Sequence, residues 1–158
     1  MNLPLRITVN RIGEPSLEEY GLTQMAVDTP EAAAKFWGCA IASRPEHEAD
    51  KENLAVILLS TRLRPLGWNL VALGSTNECT AHPREIFRPA VVAGAYAFVL
   101  MHNHPSGNPA PSEADRRLTS KLREGASLLQ INFLDHVVIG TAQEGHPGYF
   151  SFRDAGLL

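Results

Sequence analysis

Tyr96-Ala-Phe-Val-Leu-Met-His102-Asn-His104-Pro-Ser-Gly-Asn-Pro-Ala-Pro-Ser112-Glu-Ala-Asp115 changes character twice along its length. Residues 96 to 101 are aromatic or aliphatic, follow Gly94 and run into a polar stretch, which is the pattern of a buried strand. Between Pro105 and Pro111, three prolines, a glycine and an asparagine exclude helix interior and central strand alike. Ser112-Glu113-Ala114-Asp115 then has the Ser-x-x-acid form of a helix start, with Ser112 as N-cap and Leu118, Leu122 and Ala126 following at helical spacing. Strand, stiff reversing loop and helix therefore succeed one another directly.

This arrangement has a chemical reading. Side chains two apart on a strand point the same way, so His102 and His104 converge on one side while Asn103 faces the other. Asp115, in the first turn of the following helix, adds a carboxylate. Catalytic zinc sites take three such ligands and leave a fourth position for water, so His102, His104 and Asp115 are the expected metal ligands, for one zinc per chain. Two plainer readings stand beside this one. A Ser-x-x-Asp cap satisfies free helix donors without a metal, and an isolated His-x-His pair is weak evidence. The conjunction of all three groups favours the metal. Gly107, three residues after His104, is expected to adopt a backbone conformation closed to other residues.

Outward from this unit the chain alternates between strand and helix signals. Thr29-Pro30-Glu31 is a helix start with Pro at the first helical position, continued by Ala32 to Ala42 with Phe36, Trp37 and Ala40 as a packing face. Arg44 to Lys51 is a charged linker. Leu54 to Leu59 reads as an apolar strand, Arg62 to Gly67 as its break, and Trp68 to Leu73 as the second arm of a hairpin. Pro83 opens a helix through Ala93, Ile131 to Ile139 forms the next strand, and a polar turn precedes Tyr149 to Phe152. Residues 1 to 28 contain a strand candidate at Leu5 to Val9 and little else that can be placed. The expectation is an α/β fold with a mixed β-sheet flanked by helices, divided into an N-terminal extension over 1–28 and one domain over 29–158.

The motif is identified as that of the JAMM (JAB/MPN-plus) metalloproteases, and the His102-Asn-His-Pro-Ser-Gly107 wording resembles the bacterial RadC-like branch. Further matches are Glu52-Asn-Leu-Ala-Val-Ile-Leu-Leu-Ser-Thr61, Gly74-Ser-Thr76, His82-Pro-Arg-Glu-Ile-Phe87, and Leu134-Asp-His-Val-Val-Ile-Gly140 with Tyr149-Phe-Ser-Phe152. They cover about residues 29 to 155. The resemblance implies a JAB/MPN, cytidine-deaminase-like architecture, amide hydrolysis of a peptide or isopeptide substrate, Glu52 as general acid/base and Ser112 as donor to the oxyanion. Read from the residues alone, Glu52 belongs with Glu46, Glu48 and Asp50 to a solvated acidic face, and Ser112 is a helix cap. Ser60 stands where the branch has Asp, and Leu54 where it has an aromatic. The branch's N-terminal helix-hairpin-helix region has no matching segment here, so a stand-alone domain is expected.

Asp135-His136 is either an outer pair orienting a metal ligand or a structural hydrogen bond. The helix start at His82 and the pair Arg116-Arg117 either line the cleft or are solvated. The chain has 44% hydrophobic and 20% charged residues, as soluble globular domains do. No apolar run approaches the ~20 residues of a membrane span, and the N-terminus lacks the form of a secretory signal. Cys39 and Cys79 form no ligand pair; Cys39 reads as a small buried side chain in a helix, and a reducing, cytoplasmic setting is the default. A formal net charge of −3 gives no general attraction for a polyanion. A DNA-repair-associated, DNA- or protein-binding role is the alternative to hydrolysis, carried by the family resemblance and unsupported by charge. A homodimer through an exposed sheet edge stays open.

Overall fold

The structure, a computed structural model, describes residues 10–11, 21–22, 24–45, 47–74 and 81–158. The strand candidate at Leu5 to Val9 lies outside these residues, as does Cys79. Six strands are described: β1 (Asn10–Arg11), β2 (Asn53–Leu59), β3 (Pro65–Leu73), β4 (Ala97–Asn103), β5 (Asn132–Ile139) and β6 (Tyr149–Ser151). They form one sheet in the order β1-β3-β2-β4-β5-β6. Three α-helices accompany it, α1 (Pro30–Phe36), α2 (Pro83–Val92) and α3 (Glu113–Leu129). Adjacent strands pair antiparallel except β4 and β5, which are parallel. A parallel pair needs a long crossover, and α3 supplies it. The sheet is mixed, as the sequence implied.

Period-two alternation explains the layers. Ala55, Ile57 and Leu59 of β2 and Ala97, Val99 and Met101 of β4 pack with Ala33, Phe36, Trp37, Ala40 and Ile41 on one face. Leu54, Val56 and Leu58, with Phe98 and Leu100, pack on the other face with Ile86, Phe87 and Ala90 of α2 and Leu122 and Ala126 of α3. All seven residues of β2 and all seven of β4 are buried, so apart from Asn53 and His102-Asn103 at their ends these central strands read as continuous apolar runs rather than alternating ones. Each large side chain buried in this way stabilises the fold by about 1.5–3 kcal/mol. His102 belongs to the even-numbered set of β4 and so faces α3.

Two local expectations need correction. The helix begun by Thr29, whose hydroxyl accepts from the Ala32 N–H at 3.2 Å, is α-helical only to Phe36 and widens into a π-helical turn over Trp37–Ile41. The wider turn, closed by Ala42 N–H to Trp37 C=O at 2.9 Å, places Trp37, Ala40 and Ile41 together in the core; Cys39 is left half-buried rather than buried. The break between β2 and β3 is also shorter than its Pro and Gly content implied. Pro65 is the first residue of β3, beside a register shift at Leu59 where no ladder donor is needed, and Gly67 pairs opposite Leu58.

Leu122 is fully buried and is a main apolar tie between α3 and the sheet. Leu122→Ala is expected to cost about 2–5 kcal/mol in urea unfolding, as a shift in midpoint with unchanged slope. A loss below about 0.5 kcal/mol would show that α3 is held by other contacts.

Candidate metal centre

The strand end and the helix start meet as the sequence requires. His102 is the penultimate residue of β4 and His104 lies just past it, where its N–H bonds to Ile139 C=O at 2.8 Å. Ser112 is the N-cap of α3 and Asp115 its third residue. One donor atom each from His102, His104 and Asp115 lies within 4.8 Å of the others, and the three could hold a metal ion. His102 Nε2 is 3.0 Å from His104 Nε2 and 3.2 Å from Asp115 Oδ1, while His104 Nε2 is 3.5 Å from Asp115 Oδ2. Two imidazole nitrogens and a carboxylate oxygen, all but His104 and Asp115's outer edge shielded from solvent, are donor types that zinc among other divalent ions accepts. The set fits the metal.

Each donor is oriented by a further contact. Asp115 Oδ2 accepts from both Ser112 N–H and Ser112 O–H at 2.7 Å, and Asp115 N–H returns to Ser112 Oγ at 3.1 Å. The capping box and the ligand are therefore one construction: the cap that satisfies the helix also aims the carboxylate. His104 Nδ1 donates to Asn108 C=O at 2.9 Å. That loop is held by glycine. Gly107 has φ +79, its C=O accepts from Thr141 N–H at 2.8 Å, and a Cβ on Gly140 would stand 2.4 Å from the same Gly107 oxygen.

His102 Nδ1 lies 2.9 Å from His136 Nε2, and His136 Nδ1 lies 2.7 Å from Thr119 Oγ1. Of the pair Asp135-His136, then, only the histidine approaches the site. Asp135 faces the other side of β5 and accepts from Ser151 O–H at 2.5 Å and Arg153 N–H at 3.0 Å. Thr119 went unread in the sequence; its one signal was a position four residues after Asp115, on the same helical face.

Glu52 is half-buried and immediately precedes β2. Leu54 lies opposite His102 in the antiparallel register, so the continuation of that register sets Glu52 opposite His104 on the face that carries the ligands. Its charge acts on His104. The backbone around Glu52 is fastened from the far face by Asn103: Oδ1 accepts from Asn53 N–H and Nδ2 donates to Lys51 C=O, both at 2.9 Å. The residue between the two histidines thus grips both peptides flanking the glutamate. Arg116 and Arg117 are exposed, Arg116 pairing with Glu113 of its own helix, and His82 is exposed at the start of α2.

The electrostatics follow the contacts. Hydrogen bonding to Asp115 raises the pKa of His104 against the opposing effect of burial, with help from Asn108 C=O and the charges of Asp115 and Glu52. Burial pushes Asp115 up, but hydrogen bonds with His102 and His104 outweigh it and hold the carboxyl far below its ordinary range. Desolvation drives His136 well below its usual value, so it is neutral.

The family profile described as RadC-like JAB domain matches residues 27–157. Among curated proteins, the chain is 42% identical over 108 residues to a UPF0758 protein of Pelodictyon phaeoclathratiforme, a match covering 68% of this chain and 46% of the relative. It is 38% identical over 109 residues to a UPF0758 protein of Thermotoga maritima, covering 69% and 47%. A UPF0758 protein of Desulfitobacterium hafniense is 33% identical over 147 residues, covering 93% and 60%. The chain spans about half the length of the curated relatives it matches. No described helix is long and apolar enough to cross a membrane.

In metal-free protein, the raised pKa of His104 means that its pairing with Asp115 stabilises the fold fully below the ordinary histidine value of 6.5 and is lost as pH rises through the raised value. Asp115→Asn is expected to flatten this slope in urea unfolding across pH 5–9; an unchanged slope would contradict the pairing. Asn103→Ala leaves Asn53 N–H without its buried partner and removes one of the two donors to Lys51 C=O, the other being Asn53 Nδ2 at 2.8 Å; it is expected to cost about 1–3 kcal/mol, read from the same unfolding curves at neutral pH.

Proposed function

The chain belongs to the RadC-like JAB domain family, and from that premise we propose that it is a zinc-dependent hydrolase cleaving the amide bond of a peptide or isopeptide. The observation that carries the reading is the placement of Glu52. Two residues before Leu54, which pairs with His102, and with its charge felt at His104, Glu52 would supply a proton carrier beside a cluster that could hold a metal ion. Structural zinc sites close all four positions with protein ligands, whereas this cluster offers three among the described residues.

His102 and His104 through Nε2, and Asp115 through a carboxylate oxygen, would hold the ion. When bound, zinc supplies Lewis acidity, making an attacking water more acidic and polarising the scissile carbonyl. Glu52 takes the proton of that water and later delivers it to the leaving amine, so one carboxylate serves as base and then acid. Asn103 keeps it in place by holding the peptides on both sides. Ser112 donates its hydroxyl proton to the oxyanion of the tetrahedral intermediate. In the resting arrangement that hydroxyl donates its hydrogen bond to Asp115 Oδ2, and the Ser112 N–H, also at 2.7 Å from Oδ2, keeps the carboxylate satisfied when the hydroxyl turns away.

Glu52→Gln is expected to retain about one zinc per chain, measured by elemental analysis, while amide cleavage across a panel of peptide and isopeptide fusions falls about 10²–10⁴-fold. Parent protein that binds zinc but cleaves no member of the panel, or a Glu52→Gln variant as active as the parent, would contradict the proposal.

A further inference from the structure

Resting on the zinc reading of the site, we propose that Thr119 and His136 are positioning residues that fix the tautomer of His102, keeping its proton on Nδ1 and its Nε2 lone pair free for the ion. A hydroxyl has a single proton to give. Thr119 Oγ1 lies 2.7 Å from the backbone C=O of Asp115, one helical turn back, and a carbonyl oxygen can only accept. With the proton committed there, Oγ1 turns a lone pair to His136 Nδ1 at 2.7 Å. His136 then carries its proton on Nδ1 and offers Nε2 as an acceptor to His102 Nδ1 at 2.9 Å. The proton of His102 stays on Nδ1, and its Nε2 faces His104 and Asp115.

Reversing the order of donors removes the ligand. If Thr119 gave its proton to His136 Nδ1, His136 would present N–H to His102 Nδ1, and the remaining proton of His102 would lie on Nε2, inside the cluster. The choice is made within the protein, because both His136 nitrogens have direct partners and the ring is fully buried and stacked on Phe152 at 4.7 Å between ring centroids. His104 needs no such relay, since its Nδ1 donates directly to Asn108 C=O. Asp115 therefore serves the site twice. Its carboxylate is a ligand and its carbonyl, through Thr119 and His136, sets the proton on the histidine beside it. Outer contacts of this kind orient metal-bound imidazoles and raise their basicity.

Zinc dissociation constants from competition with a chromophoric chelator at fixed pH, together with histidine ¹⁵N NMR of the zinc-loaded parent, test the relay. His136→Phe keeps the ring shape and the stacking but removes the acceptor, and is expected to weaken zinc binding about 10–100-fold. Thr119→Val, which preserves shape without the hydroxyl, should weaken it about tenfold, and Thr119→Ser should bind as the parent does. The NMR should place the His136 proton on Nδ1. Parent-like affinity in both Thr119→Val and His136→Phe, or an NMR pattern with the proton on Nε2, would overturn the proposal. If His136→Phe does not fold, the Thr119→Val and Thr119→Ser pair decides. Parent protein that binds no zinc overturns the relay and the zinc reading together. Zinc binding with the expected Thr119 pattern but no amide cleavage upholds the relay and removes only the hydrolase reading.

Discussion

The register of β2 against β4 is the constraint from which the site follows. Leu54 lies opposite His102 and Ala55 opposite Met101, so the even-numbered residues of both strands share the face covered by α2 and α3. A slip of one residue would turn His102 and His104 to the other side of the sheet and separate them from Asp115. The apolar side chains on both faces forbid that slip, because it would exchange two packed sets at once. Asn103 adds a polar check on the same alignment, since its amide meets the peptides at Lys51 and Asn53 only in this register. Chemistry at the strand end is thus specified by packing along its length.

Polar groups in the site are economical in a structural sense, with each contact satisfying a folding requirement and orienting a donor. The Ser112–Asp115 capping box closes the start of α3 and fixes the carboxylate. Thr119 bonds back to its own helix and meets His136 of β5. The parallel pairing of β4 and β5 brings His136 beside the residues that precede the motif, and α3, the crossover that this pairing demands, delivers Asp115 and Thr119 to the same face. Buried polar networks rigidify a fold only when their members are satisfied, and here Asp115 C=O, Thr119 Oγ1, both nitrogens of His136 and His102 Nδ1 each meet a partner.

Much of this was legible in sequence wherever the signal was local. The apolar run into His102, the proline-rich loop, the Ser-x-x-Asp helix start and the Thr29-Pro30 cap each state their conformation within a few residues. Pro65 and Gly67 misled because a strand end beside a register shift tolerates what a strand centre does not. The relay was harder. Asp135 and His136, which the sequence left open as one outer pair or a structural hydrogen bond, face opposite sides of β5, and only His136 approaches the ligands. Thr119 gave no warning because a buried threonine on an amphipathic helix looks like any other residue at the edge of the apolar stripe, and its partner is seventeen residues away in sequence. Glu52, read from composition alone, belonged to an acidic linker; only its position two residues before Leu54, the partner of His102, separates it from its neighbours.

The most direct measurement is an anomalous-difference map at the zinc edge from crystals grown with zinc. The account predicts one peak per chain, about 2.0–2.2 Å from His102 Nε2, His104 Nε2 and an Asp115 carboxylate oxygen, with the Glu52 carboxylate within hydrogen-bond reach of the fourth position. A map with no peak among these three residues, or a peak beside which Glu52 points away and its place is filled by a fourth protein ligand, would contradict it.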